Sequence, residues 1–237
     1  MLVIGDEILS GKVEDTNTGL VKRELRSLGV ALKGVFVIPD ELETIAAWIG
    51  HLHGKYTYLF TSGGVGPTHD DKTMAGIALG LGRKLVTSAE LSADLEQLFG
   101  AGFNDAARKM ADIPEGAELL RDARLQIPVT KVDEIYIFPG EPGIFTKKFL
   151  AIRDRFRSDP FHLARIFTQA EETQLAGRMQ DAEARFQVAV GSYPVYDRAD
   201  YRVQITVESK DLAQVQAAAR YILEAIPAAQ LVRSEIP

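Results

Sequence analysis

Short apolar segments alternate with amphipathic segments along the first 81 residues, and no other feature constrains the fold as strongly. Apolar runs with the length of strands lie at residues 2–4, 31–38 and 56–61. Apolar residues recur at helical spacing over residues 17–28, 42–52 and 71–81. Strands that alternate with helices pair in parallel through right-handed crossovers. We therefore expect an α/β fold, a three-layer, doubly wound, mostly parallel sheet covered on both faces.

The same domain is predicted to continue to residue 157. Residues 87–111 have a helical pattern that opens with Thr87-x-x-Glu90, the form of a capping box. We expect two short helices here, separated near Gly100 and Gly102, and then a weakly patterned segment up to residue 130. A strand at 134–138, a turn at 139–142 and a helix to residue 157 complete the domain.

A second, smaller domain is predicted after a linker at residues 158–160, where Ser-Asp-Pro favours a turn. Its strands are expected at 161–168, 186–193, 201–208 and 230–233, with helices at 171–184 and 211–226. This β-α-β-β-α-β order is that of a ferredoxin-like α+β module. We therefore predict two domains, 1–157 and 161–237.

Composition limits the classes of function. The net charge of −6 disfavours a broad nucleic-acid surface, which needs clustered Lys and Arg. No apolar run approaches the roughly 20 residues that cross a bilayer, so we expect a cytoplasmic protein without a membrane partner. The absence of cysteine excludes disulfides and thiolate chemistry, which leaves oxygen and nitrogen groups for catalysis.

The loop at residues 61–71 is the strongest local indication of function. It joins an apolar strand to a helix and carries three glycines in four positions, which indicates positive φ angles or close approach of a ligand. Its N–H groups and the next helix dipole can bind phosphate, although the loop is not a Walker A motif. Taken alone, the glycines are explained more simply by a tight strand-to-helix connection. The candidate ligand-binding residues are Ser62, Gly63, Gly64, Gly66, Pro67 and Thr68.

Two adjacent acids, Asp70 and Asp71, close this loop. Beside a phosphate they repel it unless Mg²⁺ or a similar hard cation intervenes, so we predict both as metal ligands and catalytic residues. Such a cation would polarise a phosphoryl oxygen and activate water. Alternatively, either aspartate caps the following helix.

Further polar residues follow the first and the later strands of the predicted sheet. They converge on one crevice if the strand order is 2-1-3, because open α/β sheets bind ligands at the carboxyl ends of their strands. Asp6 and Asp15 are candidates for metal binding or water activation. The candidate ligand-binding residues are Gly5, Glu7, Ser10, Asn17, Gly140, Glu141 and Pro142. Solvated acids in a surface loop and a rigid turn are the alternatives.

The histidines give weaker indications. His51 and His53 are spaced wrongly for one helical face, and near a helix end they are expected to be solvated or capping rather than metal ligands. His69 lies in the glycine loop, where contact with phosphate and orientation of a carboxylate are both open.

Several of these segments together resemble one family. Residues 5–11, 15–17, 62–71 and 139–142 are similar to the signature segments of competence/damage-inducible protein A and of molybdopterin-binding domains. Residues 161–237 resemble the family's small KH-like module, with Val190-Gly191-Ser192-Tyr193-Pro194 as the matching piece. Residues 121–130 lack the Asn-Pro-x-Gly-Thr-Ala-Pro-Gly segment of many bacterial members. Residues 135–140 look closer to the corresponding domain of eukaryotic FAD synthases.

The resemblance implies a pocket at the sheet edge for a pterin or nucleotide phosphate. In some members it implies a pyrophosphatase that acts on ADP-ribose or FAD with Mg²⁺ or Co²⁺ and potassium. It also implies a homo-oligomer. The sequence lacks the family's deamidase domain and a synthase domain, so those activities are not implied.

Our leading hypothesis is a metal-dependent nucleotide pyrophosphatase, and the alternative is a molybdopterin-binding protein without hydrolase activity. RNA binding is disfavoured, because no Gly-x-x-Gly clamp interrupts the second domain.

Overall fold

A computed structural model describes residues 1–196 and 200–237. The chain divides into two compact units, unit 1 (Met1–Arg157) and unit 2 (Ser158–Pro237). In the part of the chain that the structure describes, no helix has both the length and the apolar character needed to cross a membrane.

Unit 1 alternates strands and helices, apart from four consecutive strands that precede its last helix. Its strands are β1 (Leu2–Ile4), β2 (Phe36–Ile38), β3 (Leu59–Ser62), β4 (Leu85–Thr87), β5 (Asp112–Pro114), β6 (Glu118–Leu120), β7 (Val129–Val132) and β8 (Ile135–Phe138). Its helices are α1 (Asp6–Leu9), α2 (Asn17–Ser27), α3 (Leu42–Leu52), α4 (Thr73–Gly80), α5 (Ala89–Phe99), α6 (Asp105–Lys109) and α7 (Pro142–Ile152).

The main sheet has six strands in the order β2-β1-β3-β8-β7-β6. The pairs β1–β2, β1–β3 and β3–β8 are parallel, whereas β7 pairs antiparallel with both β8 and β6. The expected 2-1-3 order and the mostly parallel sheet are confirmed. The carboxyl ends of β1, β3 and β8 therefore lie side by side at one edge.

Helices cover both faces of this sheet, and strand alternation explains how. Val3 and Phe60 point to one face, where they pack with residues of α2 and α7 such as Leu25 and Phe149. Leu2 and Leu59 point to the other face, where the core continues into α3 and α4. Every residue of β1, β3 and β8 is buried, as expected for strands enclosed on two sides. The three-layer architecture is thus confirmed.

Several boundaries differ from the sequence prediction. Only the last three residues of the segment 31–38 form a strand, since the residues before them serve as connection from α2. The weakly patterned segment before residue 130 contains the strands β5 and β6 and the start of β7. A three-residue strand shows too little alternation to be recognised without its partner.

The region predicted as helical from residue 87 begins differently from the prediction. Thr87 lies in β4, which pairs with β5, and Ser88 is the N-cap that accepts from the Leu91 N–H. The Thr87 hydroxyl donates instead to Asp112 on the neighbouring strand. The two helices separated by a turn at Gly100–Gly102 are as predicted.

Unit 2 contains β9 (His162–Thr168), α8 (Glu172–Phe186), β10 (Ala189–Pro194), β11 (Val203–Ser209), α9 (Leu212–Leu223) and β12 (Leu231–Glu235). The antiparallel sheet has the order β10-β11-β9-β12, the ferredoxin-like arrangement expected from the sequence. Its core packs the two helices on one face of the sheet. The predicted connection between β10 and β11 includes residues 197–199, which lie outside the described residues.

Candidate functional site

Hydrogen bonds join the chain segments at the carboxyl ends of β1, β2, β3 and β8. The Gly5 N–H donates to the carbonyl oxygen of Ile38, and the Gly63 N–H donates to that of Phe138, both at 3.1 Å. The side-chain amide of Asn17 donates to Ser62 Oγ and to the Gly140 carbonyl oxygen. These contacts hold four predicted site residues, Gly5, Asn17, Ser62 and Gly140, at one edge of the sheet.

Gly63 lies at the base of this site, directly against the backbone of β1. Its φ is +106°, and a Cβ at this position would lie 2.0 Å from the carbonyl oxygen of Ile4. A Cβ on Gly140 would also meet Gly63 Cα at 3.3 Å. Glycine is therefore required here for close approach of the backbone segments as well as for its φ angle.

Beyond Gly63 the loop bends back over the start of α4. Thr73 donates its hydroxyl to the Gly63 carbonyl oxygen at 2.8 Å and its N–H to that of Gly64 at 2.9 Å. Within residues 1–196 and 200–237, no hydrogen-bond acceptor meets the N–H groups of Gly64, Val65 or Gly66. Free, successive N–H groups beside a helix start are the arrangement that binds phosphate oxygens.

Asp71 stabilises the loop internally. Its Oδ2 accepts from the Thr68 N–H at 2.8 Å and from the Thr68 hydroxyl. A Cβ on Gly66 would lie 2.7 Å from the same oxygen, so this glycine leaves space for the Asp71 carboxylate. Pro67 and Thr68 are exposed at the tip. Lys109 reaches this tip from α6 and donates to the Thr68 carbonyl oxygen.

Asp70 points to solvent instead. Its side chain is 64% exposed, and its Oδ1 lies 4.0 Å from Nδ1 of the fully exposed His69. The Thr68 hydroxyl holds the pKa of Asp70 below its ordinary value, so the carboxylate stays ionised. Of the two predicted metal ligands, Asp70 is thus the accessible one.

Asp40 is a site residue that the sequence reasoning missed. Its Oδ2 accepts from the Asp6 N–H at 2.9 Å, which places it at the carboxyl end of β2 beside the predicted residues. Burial raises the pKa of Asp40, and the negative charges of Glu7, Asp6 and Asp70 raise it further. Its position directly after a strand, in Pro39-Asp40, was the available sequence signal.

The remaining predicted residues have structural contacts at the rim. Asp15 accepts from the Thr18 N–H in the first turn of α2, and Ser10 donates its hydroxyl to the Glu7 carbonyl oxygen. Glu141 caps α7 by accepting from the Gly143 and Ile144 N–H groups, which lowers its pKa, and Pro142 begins that helix. The Asp15 and Glu141 carboxylates thus already have hydrogen-bond partners.

The site concentrates negative charge without forming a three-ligand cage. Among the described residues, the only three His or acidic side chains that bring ligand atoms within 4.8 Å of one another are His53, Asp133 and Glu134, away from this edge. Protein carboxylates here could contribute only part of the coordination of a hard cation. Phosphate oxygens and water commonly supply the rest for Mg²⁺.

The comparison with family models decides the classification. Residues 1–157 match the model described as "Probable molybdopterin binding domain". The chain belongs to this molybdopterin-binding family. Residues 160–235 match the "FAD synthase, middle domain". The predicted resemblance to this family and to eukaryotic FAD synthases is confirmed.

Relatives of this family member occur in nematodes and in archaea. A "Probable FAD synthase" of Caenorhabditis elegans is 28% identical over 92% of this chain and 47% of its own length. Protein TK1472 of Thermococcus kodakarensis is 34% identical over 82% of this chain and 84% of its own length. A crystal structure of the protein CinA, with unknown function, from Thermoplasma acidophilum covers 65% of this chain and 95% of its own, with 26% identity and a TM-score of 0.60. The chain spans about half the length of the nematode FAD synthases that it matches.

Proposed function

We propose that unit 1 hydrolyses the diphosphate of a nucleotide, with FAD as the first substrate to test and ADP-ribose as the second. One observation carries this proposal: three loop N–H groups that have no acceptor in the described part of the chain lie between the fixed residues Gly63 and Thr73, next to an exposed, ionised Asp70. Amides suit the phosphate oxygens, and the carboxylate suits a cation that bridges to them. The likeness of residues 160–235 to the FAD synthase middle domain favours FAD.

Excess negative charge in the donor set fits a divalent cation. Asp70 and Asp6 are the residues that we expect to contribute carboxylate oxygens to Mg²⁺ or Co²⁺, because their negative charges add to the effect of burial in raising the pKa of Asp40 and a cation would relieve that repulsion. When bound, such an ion supplies charge neutralisation at the phosphoryl oxygens. Potassium is a further proposed ion, from the family resemblance alone.

The residues of the chain have separate roles in this proposal. The N–H groups of residues 64–66 orient the diphosphate, and Asp71 keeps the loop tip in shape through Thr68. Asp40 accepts a proton from the attacking water, since a carboxylate with a raised pKa is a stronger base. Water adds across the P–O–P bond, and two monophosphates leave.

A second candidate is binding of molybdopterin without hydrolysis. It is favoured by the orientation of Asp71, whose carboxylate is hydrogen bonded to Thr68 rather than directed to the site. In this candidate function the free amides bind the phosphate of the pterin, and Asp71 only holds the loop in shape. The cytoplasmic location and the homo-oligomer remain predictions.

The test is a product assay with purified protein, FAD or ADP-ribose, Mg²⁺ or Co²⁺, and K⁺. We expect monophosphate products, with a loss of about 100-fold or more in kcat for Asp70→Asn, since a metal-binding charge is removed. Asp159→Asn, an exposed acid in unit 2, is the control and should leave the rate unchanged. Tight binding of molybdopterin in calorimetry, with no product from FAD or ADP-ribose in any metal, would support the second candidate and reject hydrolysis.

A further inference from the structure

A second cluster of metal-ligating side chains lies at the opposite edge of the main sheet. His53 is the C-cap residue of α3, in the connection that leads to β3. Asp133 and Glu134 form the turn between β7 and β8. Both positions precede the amino ends of central strands, so the length of β3 or β8, about 13 Å, separates this cluster from the candidate diphosphate site.

The spacing of the ligand atoms fits one ion. His53 Nε2 lies 3.2 Å from Asp133 Oδ2 and 3.5 Å from Glu134 Oε2, and the three atoms lie within 4.8 Å of one another. Two ligand atoms of a tetrahedral zinc site, each bound at about 2.0–2.2 Å, are separated by about 3.4 Å. The observed separations to the imidazole nitrogen match that value.

Other contacts already orient the two carboxylates. Glu134 Oε1 accepts from the Gly54 N–H at 2.5 Å, which leaves Oε2 for His53. Asp133 Oδ1 accepts from Arg83 at 2.9 Å, and Asp133 adopts a φ of +49° in the tight turn between β7 and β8. Hydrogen bonds from neighbouring groups to the free oxygens of ligating carboxylates are typical of metal sites.

We propose that His53, Asp133 and Glu134 form a binding site for a divalent transition-metal ion, and that Zn²⁺ is the ion that this set of one nitrogen and two oxygen ligands takes best. Imidazole favours transition metals over Mg²⁺, and the site leaves a fourth position for water. The ion would join the α3–β3 and β7–β8 connections. The ion would act apart from the candidate diphosphate site, because the cluster lies at the edge remote from the substrate loops.

Arg83 competes with the ion for the carboxylate of Asp133. Its guanidinium also contacts Asp133 Oδ2, at 2.7 Å, and it donates to the Glu115 carbonyl oxygen. When zinc binds Asp133 Oδ2, Arg83 must release that oxygen. Its hydrogen bond to Asp133 Oδ1 then remains and orients the ligating carboxylate.

The experiment titrates the full chain, stripped with EDTA, with Zn²⁺ in calorimetry. We expect one site per chain, and His53→Gln and Glu134→Gln should each weaken it by about tenfold or more. His51→Gln, two residues away in α3, is the matched control and should bind as the parent does. Asp70→Asn should also retain this site, which separates it from the candidate diphosphate site.

A second readout does not depend on the variants being folded. The chain has four histidines, and long-range proton–nitrogen spectra of the parent protein should show Zn²⁺ shifting one imidazole, assigned to His53. Equal affinity in His53→Gln and the parent, or a shift confined to another histidine, would overturn the proposal. So would loss of the site in Asp70→Asn.

Discussion

The side-chain amide of Asn17 donates to the hydroxyl of Ser62 at 3.0 Å, although the two residues are 45 positions apart in the chain. The same nitrogen donates to the Gly140 carbonyl oxygen at 2.9 Å. Asn17 is buried at the start of α2, and Ser62 is buried at the end of β3. One amide group thus holds the bases of the loops after β3 and β8 next to the start of α2.

Asn17→Ala should therefore destabilise unit 1 by about 1–3 kcal/mol, because two buried acceptors lose their donor. Asn104→Ala, which removes the N-cap contact to Ala107 in α6, is the control and should cost about 1 kcal/mol. Denaturation measures both, and FAD binding should weaken only in Asn17→Ala. Unchanged stability in Asn17→Ala would show that the amide does not fix the loops.

Gly63→Ala should be far more damaging than Gly11→Ala. Both glycines have positive φ, so each alanine incurs about 1–2 kcal/mol of backbone strain. Only at Gly63 does the new Cβ meet the Ile4 carbonyl oxygen, whereas at Gly11 nothing lies within 4 Å. We expect a further loss of about 1–3 kcal/mol at Gly63, measured by thermal denaturation. Equal losses for the two variants would mean that β1 and β3 can move apart without cost.

Asp40→Asn should raise the Tm at pH 7. A carboxyl whose pKa is higher in the folded than in the unfolded chain binds its proton more tightly when folded, so its ionisation lowers stability as pH rises above 3.8. The asparagine still accepts from the Asp6 N–H but carries no charge. The gain over the parent should disappear below the ordinary pKa of 3.8 and shrink when Mg²⁺ is added. Asp159→Asn should show neither effect.

Lys148→Met should stabilise unit 1 at pH 7. Burial lowers the pKa of Lys148 from 10.5 to about 8, which corresponds to a cost of about 3 kcal/mol for the charged form. The variant loses the hydrogen bond to the Pro128 carbonyl oxygen, worth about 1 kcal/mol, so a net gain of about 1–2 kcal/mol is expected.

The pH dependence checks the cause of this gain. Between pH 8 and 10.5 the unfolded chain binds a proton that the folded chain has released, so the parent gains stability and the advantage of Lys148→Met declines. Lys147→Met, at the exposed neighbouring position, should show no such change. A constant advantage across this range would rule out the buried ammonium as its source.

Sequence periodicity was sufficient to predict the central parallel strands and their covering helices, because β1, β3 and β8 lie in mostly apolar runs and the helices carry regular stripes. It failed for β5 and β6, whose residues alternate too briefly and which are defined by the partners they pair with.

Loop chemistry was predicted less completely. The glycine requirement at Gly63 follows from the sequence, but the orientation of Asp71 toward Thr68 depends on a turn that the residues alone do not specify. Asp40 was missed because a single acid after a strand is common, and its significance arises only from the adjacent Asp6 and Glu7. The contact between His53 and Asp133 joins residues 80 positions apart, which no local pattern reports.

The hydrogen bond from the Gly63 N–H to Phe138 implies that amide hydrogens within the glycine loop exchange at two different rates. The Gly63 amide hydrogen is locked to Phe138 within the sheet, so it should reach solvent only when the domain unfolds. The amide hydrogens of residues 64–66, which have no acceptor among the described residues, should exchange with deuterium quickly until an anion covers them. A bound diphosphate should therefore slow deuterium exchange at residue 64. Exchange at the adjacent residue 63 should stay as slow as it is without the ligand.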